Sequence, residues 1–303
     1  MSADLPVPFP PPPPRRRERW WLHGLLLVAT LLTTTWVGAS FAVNFRPSLL
    51  PSGPLSLAAW RRLLDGALSY SLPLLSILFA HEMGHYLMCR RYGIDASPPY
   101  FVPFPSLVGT MGAFIRIREP FRNKKELFDV GVAGPIAGFV VTLPLLAWGI
   151  AHSRPNLDPG LADGTIIFRY PILVEWFQKL TLGRTFTSVE AIEHPVFVAA
   201  WFGLFVTALN LLPLGQLDGG HALYAVFGRF QKWIAIPIMV VLAVLGIKWP
   251  GWYVWIVFTL VTGLRHPPAR DEALPLDAKR LAVAILVLAI FLVCFAPMPI
   301  EIL

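Results

Sequence analysis

His81-Glu82-Met83-Gly84-His85 sets two imidazoles four residues apart, on one face of a helix, where both can bind a single metal ion. Glu82 between them is placed to take a proton from an attacking water. This is the pattern of metal-assisted hydrolysis, and it lies in an apolar stretch, residues 66–88, long enough to cross a bilayer. Hydrolysis at that depth requires a wet cavity enclosed by protein and a substrate that is itself in the membrane. Two histidines leave a catalytic Zn²⁺ one protein ligand short of three. Asp218, in Asn210-Leu211-Leu212-Pro213-Leu214-Gly215-Gln216-Leu217-Asp218-Gly219-Gly220-His221, is the best candidate for the third. Pro213 and Gly215 interrupt the helix before it, letting the backbone bend and the carboxylate approach the metal. The competing role for Asp218 is a helix N-cap. His221 would close the site as a fourth protein ligand and is left out of the set.

The elements that must position these groups follow from composition. Of the 303 residues, 55 % are hydrophobic and 14 % charged, with a mean hydropathy of +0.61. Soluble domains run nearer a quarter charged, so the expectation is an all-α polytopic membrane protein. Apolar windows predict about seven transmembrane helices, at 22–44, 66–88, 127–150, 195–214, 233–247, 250–264 and 281–298. The fifth and sixth, separated by Lys248-Trp249-Pro250-Gly251, are expected as a tight hairpin. Arg15, Arg16, Arg17 and Arg19 precede the first, which is too long for a cleaved signal peptide and is read as retained. With the N-terminus inside, the cytoplasmic segments hold 17 of the 25 Lys and Arg and the opposite side 8, which orients the N-terminus to the cytoplasm. The second and fourth spans then run inward together, so His81, His85 and Asp218 share a depth toward the cytoplasmic face. The net charge of +7 reflects this topology and attraction to anionic headgroups. Without a basic domain outside the membrane, a nucleic-acid partner is excluded. Cys89 and Cys294 lie in no CxxC, which excludes a zinc finger or disulfide framework.

Four segments are expected: a proline- and arginine-rich cytoplasmic tail (1–21), the first transmembrane helix and its loop (22–65), a catalytic membrane core (66–222) and C-terminal transmembrane helices (223–303). The run Pro10 to Pro14 makes the tail an extended spacer or a ligand for an aromatic groove. Residues 97–118 are apolar but interrupted by Pro98, Pro99, Pro103 and Pro105, then strand-like from Val108 to Arg116 with Gly109 and Gly112 as turn residues. They are expected as a short re-entrant β-hairpin or loop near the active site, or else as packing at the interface. An unpaired edge there could accept a strand from an unwound substrate. Gly112 and Asn210 are the candidate substrate-binding residues, Asn210 through the substrate backbone or a tetrahedral intermediate, or equally as a helix–helix hydrogen bond. Gly134 and Gly138 read first as a close helix contact. Asp129 is a candidate acceptor for a ligand imidazole. Trp20, Trp21, Trp249, Trp252 and Trp255 are expected at the membrane interface, and His23, His152, His194 and His266 in solvent at span ends or loops.

His81-Glu82-Met83-Gly84-His85, Gly134-Pro135-Ile136-Ala137-Gly138 and Leu217-Asp218-Gly219-Gly220, in that order across 66–222, resemble the site-2 protease family of intramembrane metalloproteases. The resemblance implies a three-helix core and one Zn²⁺ per chain on His81, His85 and Asp218. It implies Glu82 as catalytic base and 97–118 as a membrane-dipping hairpin. The substrate would be a transmembrane protein, cut within or near its membrane segment in regulated intramembrane proteolysis. A helical substrate must unwind first, since its carbonyls are engaged in i→i−4 bonds. Some members carry a PDZ or nucleotide-sensing domain, for which this sequence has no room. Two other readings stand beside it: a catalytically silent scaffold or chaperone for unwound helices, which has no need of Glu82 at depth, and a metal transporter, which would spread ionisable residues along a path. The expected location is a multi-pass position in a prokaryotic plasma membrane, with an organelle membrane as the alternative.

Overall fold

The computed structural model describes residues 18–50, 56–157, 166–263, 271 and 275–302. The proline run and Arg15–Arg17 lie outside them. The chain is mostly helical, with helices at all seven expected places. Among the described residues, four stretches are long and apolar enough to cross a membrane: α1 (Trp20–Phe45), α2 (Leu57–Arg91), α3 (Lys124–His152) and the stretch Asp218–Gly246. That last stretch contains α6 (Asp218–Phe227) and α7 (Gln231–Gly246). The other three helices at the expected places are shorter. The helix α5 (Pro195–Asn210) has 16 residues and α8 (Gly251–Thr262) has 12, about 24 and 18 Å at 1.5 Å per residue, against a hydrocarbon core of about 30 Å. The last, α9 (Ala278–Cys294), has 17.

What α5 lacks in length it makes up in burial: 13 of its 16 residues are buried. It packs against α2 and α3 and forms the centre of the main core, with Phe197, Trp201, Phe202 and Leu204 inside. A helix that is apolar on every side is stable only when protein or lipid surrounds it completely, and here protein does. The helices α7 and α8 pack together across Ile247–Pro250, as the tight-hairpin expectation requires. Trp252 is not at an interface: it is 1 % exposed, and its indole N–H donates to the Pro297 carbonyl at 2.8 Å. Trp20 and Trp21, at the start of α1, are exposed.

Residues 97–118 form a β-hairpin. Strand β1 (Tyr100–Pro103) pairs antiparallel with β2 (Thr110–Phe114), Tyr100 opposite Phe114 and Pro103 opposite Thr110. The register shifts between Phe101 and Pro103, and Gly112, at φ +101°, takes up the extra residue in β2. The base is closed by Ser97 N–H to the Arg116 carbonyl (3.0 Å) and by the Arg118–Asp95 ion pair (3.2 Å). His23, expected in solvent, is buried at this base, stacked on Tyr100 at 4.0 Å and 3.0 Å from the Pro99 carbonyl. The tip is tied to α2 by the Tyr70 hydroxyl, which donates to the Val108 carbonyl at 2.9 Å. The loop 151–194 contains β3 (Arg154–Pro155), β4 (Ile166–Phe168), α4 (Ile172–Leu182) and β5 (Ala191–Ile192). There β3 pairs with β5, and β4 with β6 (Ile300–Ile302). Cys89 and Cys294 are free and buried.

The contact of α1 with α2 is set by polar and small residues. The Thr34 and Ser71 hydroxyls meet at 2.6 Å, and a Cβ on Gly38 would come within 2.3 Å of the Ala67 carbonyl oxygen. Gly38→Val therefore forces the helices apart. We expect a loss of ~1–3 kcal/mol of stability, read as a lower unfolding midpoint in detergent, with Gly24→Val, on an open face of the same helix, unchanged.

Candidate metal centre

Both motif histidines project from α2 toward α3 and α6. The helical repeat puts His81 and His85 one turn apart, and their Nε2 atoms lie 3.1 Å from each other. Asp218, the first residue of α6, brings Oδ2 to 3.3 Å from His81 Nε2 and to 3.3 Å from His85 Nε2. The N-cap of α6 is Leu217, with no side-chain cap, so the carboxylate faces the imidazoles and not the helix N-terminus. Ligand atoms 2.0–2.1 Å from a tetrahedral Zn²⁺ are separated by about 3.3 Å. The three donor atoms form a triangle of that size, with the mixed nitrogen and oxygen chemistry zinc prefers, so the set fits zinc.

The carboxylate reaches the imidazoles because the chain doubles back. The helix α5 ends at Asn210, and Leu211–Leu217 is a compact turn carrying Gly215 at φ +50°. The first turn of α6 lies directly on it: a Cβ on Gly219 would sit 2.0 Å from the Leu211 carbonyl oxygen, and one on Gly220 would sit 2.4 Å from that of Gly215. The two glycines following Asp218 are therefore the condition for its placement.

One face of α3 forms the floor. A Cβ on Gly134 would lie 2.0 Å from His85 Nε2, one on Gly138 would lie 3.2 Å from the His81 Cβ, and one on Gly131 would lie 2.9 Å from the His221 Cβ. The small-residue stripe is a close helix contact, as the spacing suggests, and what it approaches is the imidazoles themselves. The backbone of α3 also orients one ring. His85 Nδ1 is 2.7 Å from the Val130 carbonyl, which fixes Nδ1 as the protonated nitrogen and leaves Nε2 as the metal-facing lone pair. Asp129 does not have this role. It pairs with Arg280 of α9 (2.6 Å) and accepts from Tyr92 (2.5 Å), tying α9 to the start of α3. No sequence signal marks Val130, since its contribution is a main-chain oxygen.

Glu82 is buried beside the triad but outside it, with Oε1 4.0 Å from His81 Nε2. The Ile115 backbone N–H, just past β2, lies near its carboxylate. Asn210, the last residue of α5, brings its amide nitrogen to 3.2 Å from His81 Nε2. Gly112 makes no contact with the triad. It sits in the β2 bulge with open space where a Cβ would be, and Thr110 hydrogen-bonds to its N–H (2.9 Å) and its carbonyl (3.2 Å). Gly134→Ala, with no room for its methyl group, must turn His85 or separate α2 from α3. We expect the folded variant to bind zinc ~10–100-fold more weakly, measured by metal analysis after competition with a chelator. Wild-type zinc affinity in that variant would refute this account of the α3 floor.

Residues 69–246 match the family model described as Peptidase family M50. The chain is 31 % identical over 240 residues to a protein of Arabidopsis thaliana named probable zinc metalloprotease EGY2, chloroplastic, covering 78 % of this chain and 42 % of that protein. It is 33 % identical over 171 residues to probable zinc metalloprotease EGY1, chloroplastic, of Oryza sativa subsp. japonica, covering 54 % of this chain and 29 % of that one. Probable zinc metalloprotease EGY2, chloroplastic, of Oryza sativa subsp. indica is 37 % identical over 155 residues, covering 51 % and 28 %. The chain thus spans less than half the length of these curated relatives. The metal triad and the glycine floor of α3 both fall inside the matched region, and the chain belongs to the M50 peptidases, the site-2 protease family of zinc metalloproteases.

Proposed function

We propose that this protein is an intramembrane zinc metalloprotease that hydrolyses a peptide bond within or near the transmembrane segment of a membrane-protein substrate. The observation that carries the reading is the convergence of His81, His85 and Asp218 beside a buried Glu82, among helices apolar enough to cross a membrane. In this reading the three residues hold one Zn²⁺, which supplies Lewis acidity, lowering the pKa of water toward ~7 and polarising a carbonyl. Glu82 takes the proton of the attacking water and delivers it to the leaving amine. Its position suits that work: with Oε1 4.0 Å from His81 Nε2, it is near enough to act on a group beside the triad while lying outside the donor set. The Asn210 amide, next to His81, is placed to donate to a substrate carbonyl as negative charge develops there.

The substrate must arrive locally unwound, because a helical carbonyl is already hydrogen-bonded. Strand β2 is paired only with β1 among the described residues, so its other edge can accept an extended segment. Open space beside Gly112 allows a second backbone to come close. The lysine and arginine distribution supports an N-terminus and active site on the cytoplasmic side of the membrane. The names of the plant relatives place those proteins in the chloroplast, which favours an organelle membrane over the prokaryotic plasma membrane expected from sequence.

Glu82→Gln keeps the size of the side chain and removes the base. In proteoliposomes we expect it to bind zinc like the wild type while cleavage of single-span model substrates falls ~10²–10⁴-fold. A chelator should abolish wild-type cleavage, and added Zn²⁺ restore it. Equal cleavage by both proteins would refute the role of Glu82, and zinc binding without cleavage in either would favour a scaffold.

A further inference from the structure

A groove of about 990 Å³ runs beside the half of α1 remote from His81. Trp36, Ser40 and Asn44 recur every four residues and so share the face of α1 that forms one wall. All three are exposed, Trp36 at 81 %. The hairpin tip, with Leu107, bounds the groove toward the metal centre, and Phe168 of β4 and Glu193 stand opposite α1.

This groove is not a plain apolar surface for lipid. The Ser40 hydroxyl and the Asn44 amide make no hydrogen bond to any described residue. Across from them Glu193 is buried, its Oε1 accepting from the Tyr170 hydroxyl (2.8 Å) and the Ser188 hydroxyl (2.5 Å). An acyl chain in the groove would leave the serine and asparagine unsatisfied in an apolar setting, which is costly. An α-helix bearing a hydrogen-bonding side chain would satisfy them, as polar residues do between membrane helices.

The groove is also continuous with the metal centre. The hairpin tip is seated on α1, where a Cβ on Gly109 would lie 2.8 Å from the Thr34 Cα, and Thr34 meets Ser71 of α2. The other end of the hairpin reaches Glu82 through Ile115. Ser71 and Glu82 are eleven residues apart on α2, about 16 Å. The hairpin therefore bridges the distance from the groove to the proposed base along one strand.

We propose that this groove docks the still-helical part of a substrate's transmembrane segment, selecting segments that carry a hydrogen-bonding side chain in the half remote from the scissile bond. The inference rests on the proteolytic reading above. The wound half is held against Ser40 and Asn44, while the unwound half follows β2 to the triad. Such an exosite lets the protein bind a helix firmly without having to bind it at the bond it cuts.

The test uses the full-length protein in proteoliposomes, with two single-span substrates differing only in Asn or Leu in the remote half, and a soluble peptide covering the cut site alone. Wild type should cut the Asn substrate with a kcat/KM ~10-fold or more above the Leu substrate. Ser40→Trp, which fills the groove, should erase that preference and lower cleavage of the Asn substrate ~10-fold or more. Peptide cleavage and zinc content should stay at wild-type values. Undiminished cleavage and preference in Ser40→Trp would overturn the groove and leave the protease reading intact. Failure of zinc-loaded wild type to cut any of the three would overturn both. As an independent readout of binding, Ser40→Cys in a Glu82→Gln background should form a disulfide with a cysteine in the substrate's remote half, Cys89 and Cys294 being buried. Disulfides between two copies of Ser40→Cys, in preference to substrate, would assign the groove to self-association and overturn the proposal.

Discussion

Two imidazoles and a carboxylate must approach to within about 3.3 Å in a setting where each alone is expensive. A charged group at the centre of a membrane helix costs ~2.5–3.5 kcal/mol even on the mildest scale, and a carboxylate facing neutral nitrogen lone pairs gains little. The three become favourable together when a cation sits among them, or when protons shared between them take its place. Such a cluster demands backbone proximity that ordinary side chains forbid. The glycine face of α3 allows the imidazoles to lie on its main chain, and the glycines after Asp218 let α6 begin on top of the preceding turn. The placement of α2, α3 and α6 thus follows from what the donor set requires. The buried α5 packs against both α2 and α3 and backs them.

The site was more legible in the sequence than the fold, and for a physical reason. Ligand spacing on a helix is a local property: i and i+4 share a face whatever the tertiary structure does. The break at Pro213 and Gly215 is equally local, and so the meeting of Asp218 with the two histidines was open to inference. Hydropathy located seven helices, yet it could not tell how long each is or that α5 is wrapped in protein, because a helix apolar all round reads the same in either setting. Partners far apart in sequence were also out of reach. Asp129 looked like support for a histidine, but its partner Arg280 lies 151 residues away, while the true acceptor for His85 is a main-chain carbonyl that no residue type announces. His23 and Trp252 were read from their positions near span ends, and each is buried by an element that sequence position does not reveal: the hairpin base for one, the segment after α9 for the other.

The hairpin bears on the proposed base as well as on the substrate. A general base beside a metal has two conflicting needs: close enough to reach a proton, yet kept from becoming a ligand. With Oε1 of Glu82 4.0 Å from His81 Nε2, a carboxylate free to rotate would be drawn into the donor set. The Ile115 N–H lies near that carboxylate, and Ile115 belongs to a hairpin that is itself fixed at both ends, by His23, Asp95 and Arg118 at the base and by Tyr70 and α1 at the tip. The position of the proposed base therefore depends on a strand whose free edge is also where an extended substrate would add. Pairing at that edge would stiffen β2 and with it the placement of Ile115 beside the carboxylate, so that a correctly seated substrate would steady the proposed base that takes the proton of the attacking water. A segment that fails to pair leaves the base less well held, and the geometry couples recognition to readiness without a separate moving part.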